Sequence, residues 1–255
     1  MDHEYLTVNQ RRIAYVHSPA TATPENTPSV LFCGGFKSDM QGLKAMAFEA
    51  FCKQRNISYT RFDYNGHGSS DGKFEEGDIG SWAEDALAVF DNVASNHSQG
   101  VVVIGSSMGA WIATLIARQR SESIAGIMTL AAAPDFTEKL LLPSLTDSQR
   151  STLQSGETLN LPSRYDDGSP YPISANLIDK SRDHLVLNSP VNLNIPIRLI
   201  HGTGDPDVPH SMSTMLMETF QSDDIVLTLI KDADHRLSND AELKILIQTL
   251  QSLLE

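Results

Sequence analysis

Three stretches of this chain hold the residue types that acyl transfer needs. Ser107 stands at the centre of Gly105-Ser106-Ser107-Met108-Gly109, between the β-branched run Val101–Ile104 and an Ala/Ile/Leu-rich run of helical character. A serine on so tight a strand-to-helix turn projects its Oγ beyond the carboxyl end of the strand. The following helix points its N–H groups and positive dipole end at the same spot. A Cβ at Gly105 or Gly109 would crowd such an elbow. Five residues with three fixed recur by chance, so the motif gains its weight from what surrounds it.

A serine hydroxyl is a weak nucleophile until a base takes its proton. Histidine suits that task because it titrates near neutral pH. His235 lies in Asp232-Ala233-Asp234-His235-Arg236, after the last apolar run, and is the candidate base. His67, His201 and His210 compete with it. His201 opens a His-Gly turn and is expected to bond the local backbone. His67 lies in a glycine-rich loop and is expected to brace the site. Asp234 abuts His235 in sequence and should point elsewhere. A carboxylate must fix the imidazole tautomer. Asp205 sits on the loop after the preceding strand, with Asp207 a rival two positions on.

The reaction also needs donors for an oxyanion. The N–H of Met108, next to the nucleophile, is one candidate. The N–H of Phe36 in Gly34-Gly35-Phe36 is the other, unless that turn only ends a strand. Loss of one such donor costs roughly 3–4 kcal/mol of transition-state stabilisation.

The rest of the chain must place these loops at one edge of a sheet. Short strands are expected at Glu4–Val8 and Arg11–His17, joined at Asn9-Gln10. Thr/Pro-rich Pro19 to Pro28 reads as a surface loop. Strands at Ser29–Cys33, Ile57–Phe62, Val101–Ile104, Ile124–Leu130, Pro196–His201 and Ile225–Ile230 alternate with helices. The helices fall at Gln41–Lys53, Gly80–Val93, from the Ser107 turn to about Arg120, from Pro209 to about Phe220, and at Asn239–Leu254. Trp82, Ala86, Val89, Phe90 and Val93 form one apolar stripe. Pro209 fits a first helical turn. Such alternation predicts the α/β class, with a mostly parallel doubly wound sheet and ligands at the strands' carboxyl ends. The pattern breaks at about 135–194, which lacks a long apolar strand and holds Pro143, Pro162, Pro170, Pro172 and Pro190. A helical cap inserted into a single domain, 1–255, is expected there.

Length and composition narrow the classes. At 255 residues with 40% hydrophobic content the chain can bury a full core. No run approaches the roughly 20 apolar residues of a membrane span. A net charge of −13 disfavours nucleic acid and anionic membranes as partners. Cys33 and Cys52 read as buried thiols of a reducing compartment. Met1-Asp2-His3-Glu4 resembles neither a signal nor a transit peptide, so the expected location is cytoplasmic. No Cys/His metal spacing occurs, and no cofactor or metal is expected. The oligomeric state is left open.

The order Ser107, Asp205, His235 and the motifs around them resemble the α/β-hydrolase superfamily. Longer runs sharpen the likeness: Ala47-Phe48-Glu49-Ala50-Phe51-Cys52, Arg61-Phe62-Asp63-Tyr64-Asn65-Gly66-His67-Gly68-Ser69-Ser70-Asp71-Gly72, Leu161-Pro162-Ser163-Arg164-Tyr165 and Ile195-Pro196-Ile197-Arg198-Leu199-Ile200-His201-Gly202. These are similar to the palmitoyl-protein thioesterase and acyl-glucuronide esterase group, over nearly the whole chain. The resemblance implies an α/β-hydrolase fold with a small helical cap, and a triad of Ser107, Asp205 and His235. One departure is the turn Cys33-Gly34-Gly35-Phe36, where the group has a Pro-Gly-Tyr type.

The expected function is a serine hydrolase for carboxylic esters or thioesters, acting on a small acyl substrate or an acylated protein. A C–C bond hydrolase, a perhydrolase and a non-catalytic binding protein on the same scaffold are the alternatives. Leu140, Leu141, Leu142, Leu145 and Leu161 would either line an acyl site or pack the cap onto the sheet. The assignment of the acid separates two variants. Asp205→Asn should lower kcat by about 10⁴, and Asp207→Asn by under about tenfold, in steady-state assays on a p-nitrophenyl ester. The reverse order would move the acid to Asp207.

Overall fold

The computed structural model describes residues 3–21, 27–95, 98–163 and 170–255. Hairpin strands β1 (Glu4–Val8) and β2 (Arg11–Ser18) lead to β3 (Ser29–Cys33), α1 (Leu43–Gln54), β4 (Tyr59–Phe62) and α2 (Ile79–Ala94). Strand β5 (Val101–Ser106), α3 (Met108–Arg120) and β6 (Ile124–Leu130) follow. The segment after β6 begins with a π-helical turn, Thr137–Leu141, that runs into α4 (Leu142–Ser144). It continues through α5 (Asp147–Gln154), β7 (Leu159–Leu161), β8 (Tyr171–Ile173), α6 (Ala175–Ser181) and β9 (Val191–Asn192). Strand β10 (Ile197–Gly202), α7 (Ser211–Thr219), β11 (Phe220–Gln221), β12 (Ile225–Ile230) and α8 (Asp240–Leu254) complete the chain.

Eight strands form one sheet in the order β1-β2-β4-β3-β5-β6-β10-β12. It is parallel from β4 to β12, with β2 antiparallel to β4 and β1 antiparallel to β2. Every residue of β3, β4 and β5 is buried, because helices cover both faces. On one face α2 and α3 bury Trp82, Val89, Phe90, Trp111 and Ile112. On the other, α1 and α8 bury Phe48, Cys52, Leu246 and Leu250. Local signals set the helix starts. Asp78 and Ser81 form a capping box for α2, and Asn239 and Glu242 one for α8. The predicted start at Pro209 is early: α7 begins at Ser211, and the Pro209 carbonyl accepts the Met212 N–H. The Asp205 loop holds Pro209 outside the helix. Of the loop predicted from Pro19 to Pro28, residues 22–26 lie outside the described residues, as do Arg164 and Tyr165.

The segment between β6 and β10 is tied down by polar contacts. The Asp135 carboxylate accepts the N–H groups of Val186 and Leu187. Arg118 of α3 donates to the carbonyls of Leu185, Val186 and Ser189. Trp111 Nε1 donates to the His184 carbonyl. Leu141 and Leu145 are buried in the main core, with Leu142 and Leu161 packed against it. These four therefore help attach the segment to the core. Leu140 instead joins a small cluster around Ala133, Val208 and Met212.

One buried ion pair fixes the α1 face. Arg61, fully buried on β4, donates to Glu49 Oε2 at 3.0 Å and 3.1 Å and to the Met40 carbonyl. Glu49 Oε1 accepts from Ser18 Oγ and from Lys53. Desolvation raises the Glu49 pKa, but Lys53, Ser18 and Arg61 together hold it below its usual value. Removing Glu49 leaves the buried Arg61 charge without its carboxylate, at a cost of about 3–5 kcal/mol. Glu49→Leu should therefore lower the urea unfolding free energy by that amount, and Glu49→Leu with Arg61→Met should recover most of it. Equal losses in the single and double variants would show that the pair's charge is immaterial.

Candidate active site

The β5–α3 junction is an elbow. Ser107 adopts φ 56° and ψ −117°, backbone that a side chain rarely accepts. A Cβ on Gly105 would lie 2.3 Å from the Gly109 carbonyl oxygen, and one on Gly109 would lie 2.1 Å from that of Cys33. Both positions therefore demand glycine through close backbone approach. Ser107 N–H donates to the Leu130 carbonyl, and the Ser107 carbonyl accepts from Ala110 and Ala133.

Two further strand-end loops meet this elbow. Ser107 Oγ lies 3.0 Å from His235 Nε2, and His235 Nδ1 lies 2.7 Å from Asp205 Oδ2. The carboxylate can only accept, so Nδ1 carries the proton and Nε2 faces the hydroxyl as an acceptor. The approach of the last two loops depends on Gly202, where a Cβ would meet the Ala233 carbonyl oxygen at 2.1 Å. Asp234 lies outside the chain of contacts and turns its own loop, its Oδ1 accepting the Arg236 and Leu237 N–H groups. Asp207 is half-buried, and its N–H donates to Asp205.

Asp205 is almost completely buried. Its Oδ1 accepts the N–H groups of Asp207 and Val208, and its Oδ2 accepts from His201 Nε2 as well as His235. Burial alone would raise its pKa. The hydrogen bonds from His201, His235 and Val208, with the His235 charge, outweigh that and hold the carboxyl well below the usual range.

His201 exceeds the role its sequence position suggests. Besides the Val208 carbonyl, Nε2 reaches Asp205, while Nδ1 lies 2.7 Å from Ser213 Oγ on α7. The chain carried no signal for this contact, because i,i+4 residues are neighbours on a helix and these two lie at the end of β10 and on the loop after it. Lys44 of α1 gave none: its Nζ donates to the Arg236 carbonyl beside His235, and desolvation lowers its pKa to about 8.

Gly34-Gly35-Phe36 borders Ser107. A Cβ on Gly35 would stand 3.4 Å from Ser107 Cβ. Lys37 takes φ 56°, and its N–H donates to His67 Nε2, while His67 Nδ1 donates to the Asn65 carbonyl. The Phe36 ring meets Phe74, Trp82, Phe136 and Tyr171 edge-on. Met108 is the first residue of α3, where an N–H has no acceptor within its own helix.

With this arrangement in view, comparison with known proteins is decisive. The family described as serine aminopeptidase, S33 matches residues 24–167. A mouse relative, "Palmitoyl-protein thioesterase ABHD10, mitochondrial", is 35% identical over 231 residues, 90% of this chain and 76% of the mouse protein. The chain belongs to the α/β-hydrolases. The human protein of the same name is 33% identical over 229 residues, 90% of this chain and 74% of its own. Among solved structures, a putative hydrolase from Agrobacterium vitis S4 superposes with a TM-score of 0.92 at 32% identity, covering 100% of this chain and 99% of that one. Mouse α/β-hydrolase domain-containing protein 10 gives 0.87 at 30% identity, over 99% and 98% of the two chains.

The His67 brace has a pH consequence. Burial among Tyr64, Phe74 and Trp82 outweighs the Asn65 carbonyl and lowers its pKa from 6.5 to about 4. Between these values the unfolded chain binds a proton that the folded chain refuses, so this histidine withdraws stability as pH falls. The withdrawal is complete near pH 4 and amounts to about 3 kcal/mol. Asp63 and Asp85, raised by burial, act in the opposite sense, so the difference between two proteins isolates the histidine. His67→Phe should flatten the fall in urea midpoint between pH 6.5 and 4, and parallel profiles would exclude the effect.

Proposed function

We propose that this chain is a serine hydrolase that cleaves carboxylic esters or thioesters through an acyl-enzyme. The continuous chain Asp205–His235–Ser107, at 2.7 Å and 3.0 Å, carries this reading. His235 Nε2 takes the Ser107 proton as Oγ attacks the acyl carbon. Asp205, held ionised, fixes the tautomer and stabilises the imidazolium. The N–H groups of Phe36 and Met108 receive the oxyanion, being fixed in place before the reaction begins. The imidazolium then protonates the leaving alkoxide or thiolate. Water, deprotonated by the same nitrogen, attacks the acyl-serine, and collapse of the second tetrahedral species returns the proton to Ser107 and releases the acid.

The acyl group is assigned to the apolar patch beside the triad. Phe136, Leu140, Leu187 and Met215 are partly exposed and pack on buried Ala133, Val208 and Met212. Two methionines there suit a surface that adapts to chain length. The relatives named as palmitoyl-protein thioesterases support thioesters among the substrates. The net charge of −13 disfavours rapid association of polyanionic thioesters at low salt.

A fluorophosphonate probe should label the protein and fail to label Ser107→Ala, while Ser106→Ala labels nearly as wild type. Hydrolysis of p-nitrophenyl esters and acyl thioesters of graded length should fall at least about 10³-fold in Ser107→Ala. Substantial turnover by folded Ser107→Ala would remove Ser107 as nucleophile. Labelling without ester or thioester turnover would direct the search to other hydrolysed bonds.

A further inference from the structure

Strand β12 closes one side of the sheet, with β10 as its neighbour among the described residues. The Asp224 and Ile230 carbonyls accept from Ile197 and Thr203, so the even-numbered groups of β12 face β10. The N–H and C=O groups of Ile225, Leu227 and Leu229 therefore face outward. Natural edges are usually guarded by lysine, proline, a bulge or a covering element. Ile225-Val226-Leu227-Thr228-Leu229-Ile230 has neither lysine nor proline and pairs with β10 without a register shift. Val226 and Leu229 are 47% and 45% exposed. The opposite edge differs: β1 begins with Glu4, and Arg12 lies over its exposed Tyr5 ring.

We propose that β12 is the dimer interface, pairing antiparallel with β12 of a second copy to make one continuous sheet. A two-fold axis through such a pair stands perpendicular to the sheet, so paired residues share a face and odd numbers meet odd. The outward groups are odd as well, so the axis must pass beside a residue, and the registers centred on Leu227 or Thr228 pair the most of the strand. Centred on Leu227, the strand sets Leu227 against its own copy and Ile225 against the partner's Leu229. Beyond the strand ends, exposed Asp223 meets the partner's Lys231, and the symmetry supplies this attraction twice. Centred on Thr228, it would instead forgo that attraction and set Ile225 against the partner's Lys231, while Asp224, facing the partner's Asp232, is already held by Arg198. Charge thus selects the Leu227 register, and it also selects a second copy over an unrelated strand.

Sedimentation velocity over about a hundredfold dilution should show a species of twice the 27.9 kDa chain that dissociates reversibly. Lys231→Asp and Asp223→Lys should each raise the dimer dissociation constant about tenfold, because each disrupts two symmetric pairs. The double variant Asp223→Lys with Lys231→Asp should restore it. Leu229→Lys should give a monomer. These side chains are exposed or half-exposed, so circular dichroism should stay unchanged, as should the urea midpoint at dilutions where wild type and variants are all monomeric. A monomeric wild type at every concentration overturns the proposal. So does a dimer that the single charge reversals leave intact, or one that the double variant fails to restore.

Discussion

The backbone of Ser107 is the constraint on which the site depends. Its φ of 56° and ψ of −117° cost on the order of 1–3 kcal/mol in a residue with a Cβ. The surroundings over-determine it. A buried strand arrives on one side and a buried helix leaves on the other, and Leu130, Ala110 and Ala133 bind its two backbone groups. Gly105 and Gly109 let strand and helix approach closely enough for those bonds to form. Strain at one residue is thus held by cohesion in the best-packed part of the sheet.

Around that elbow the polar design is uneven in a useful way. Asp205 is saturated with donors and stays ionised with its side chain buried, whereas His67, more deeply enclosed, is kept neutral. The first, ionised, accepts the His235 Nδ1 proton. The second needs a lone pair to hold the Lys37 N–H, next to the Phe36 turn. Two burial environments therefore give opposite protonation outcomes because one supplies donors and the other aromatic faces.

The segment after β6 is bound to the elbow's own helix. Trp111 and Arg118 of α3 hold residues 184–189, and Asp135 holds the same stretch from the end of β6. Phe136 and Tyr171 close on Phe36. Packing at Ser107 and packing of the segment after β6 are therefore one structure, and a change in α3 would be felt in both.

The sequence by itself determined the α/β alternation, the elbow at Ser107 and the loops of Asp205 and His235. Those signals are short-ranged: a β-branched run, a helical stripe and the steric demand for glycine each act within a few residues. Sequence order also distinguished Asp205 from Asp207, since only the first directly leaves the strand-end turn. It could not determine that His201 would serve Asp205, that Lys44 would reach the Arg236 carbonyl, or which leucines would turn inward. It misplaced Pro209, because the proline's preferred φ fits a helix start and equally the loop that Asp205 pulls tight. Only the tertiary structure decided these points. Strand order sets which distant loops become neighbours, and a hydrogen bond across tens of residues leaves no periodicity in the chain that makes it.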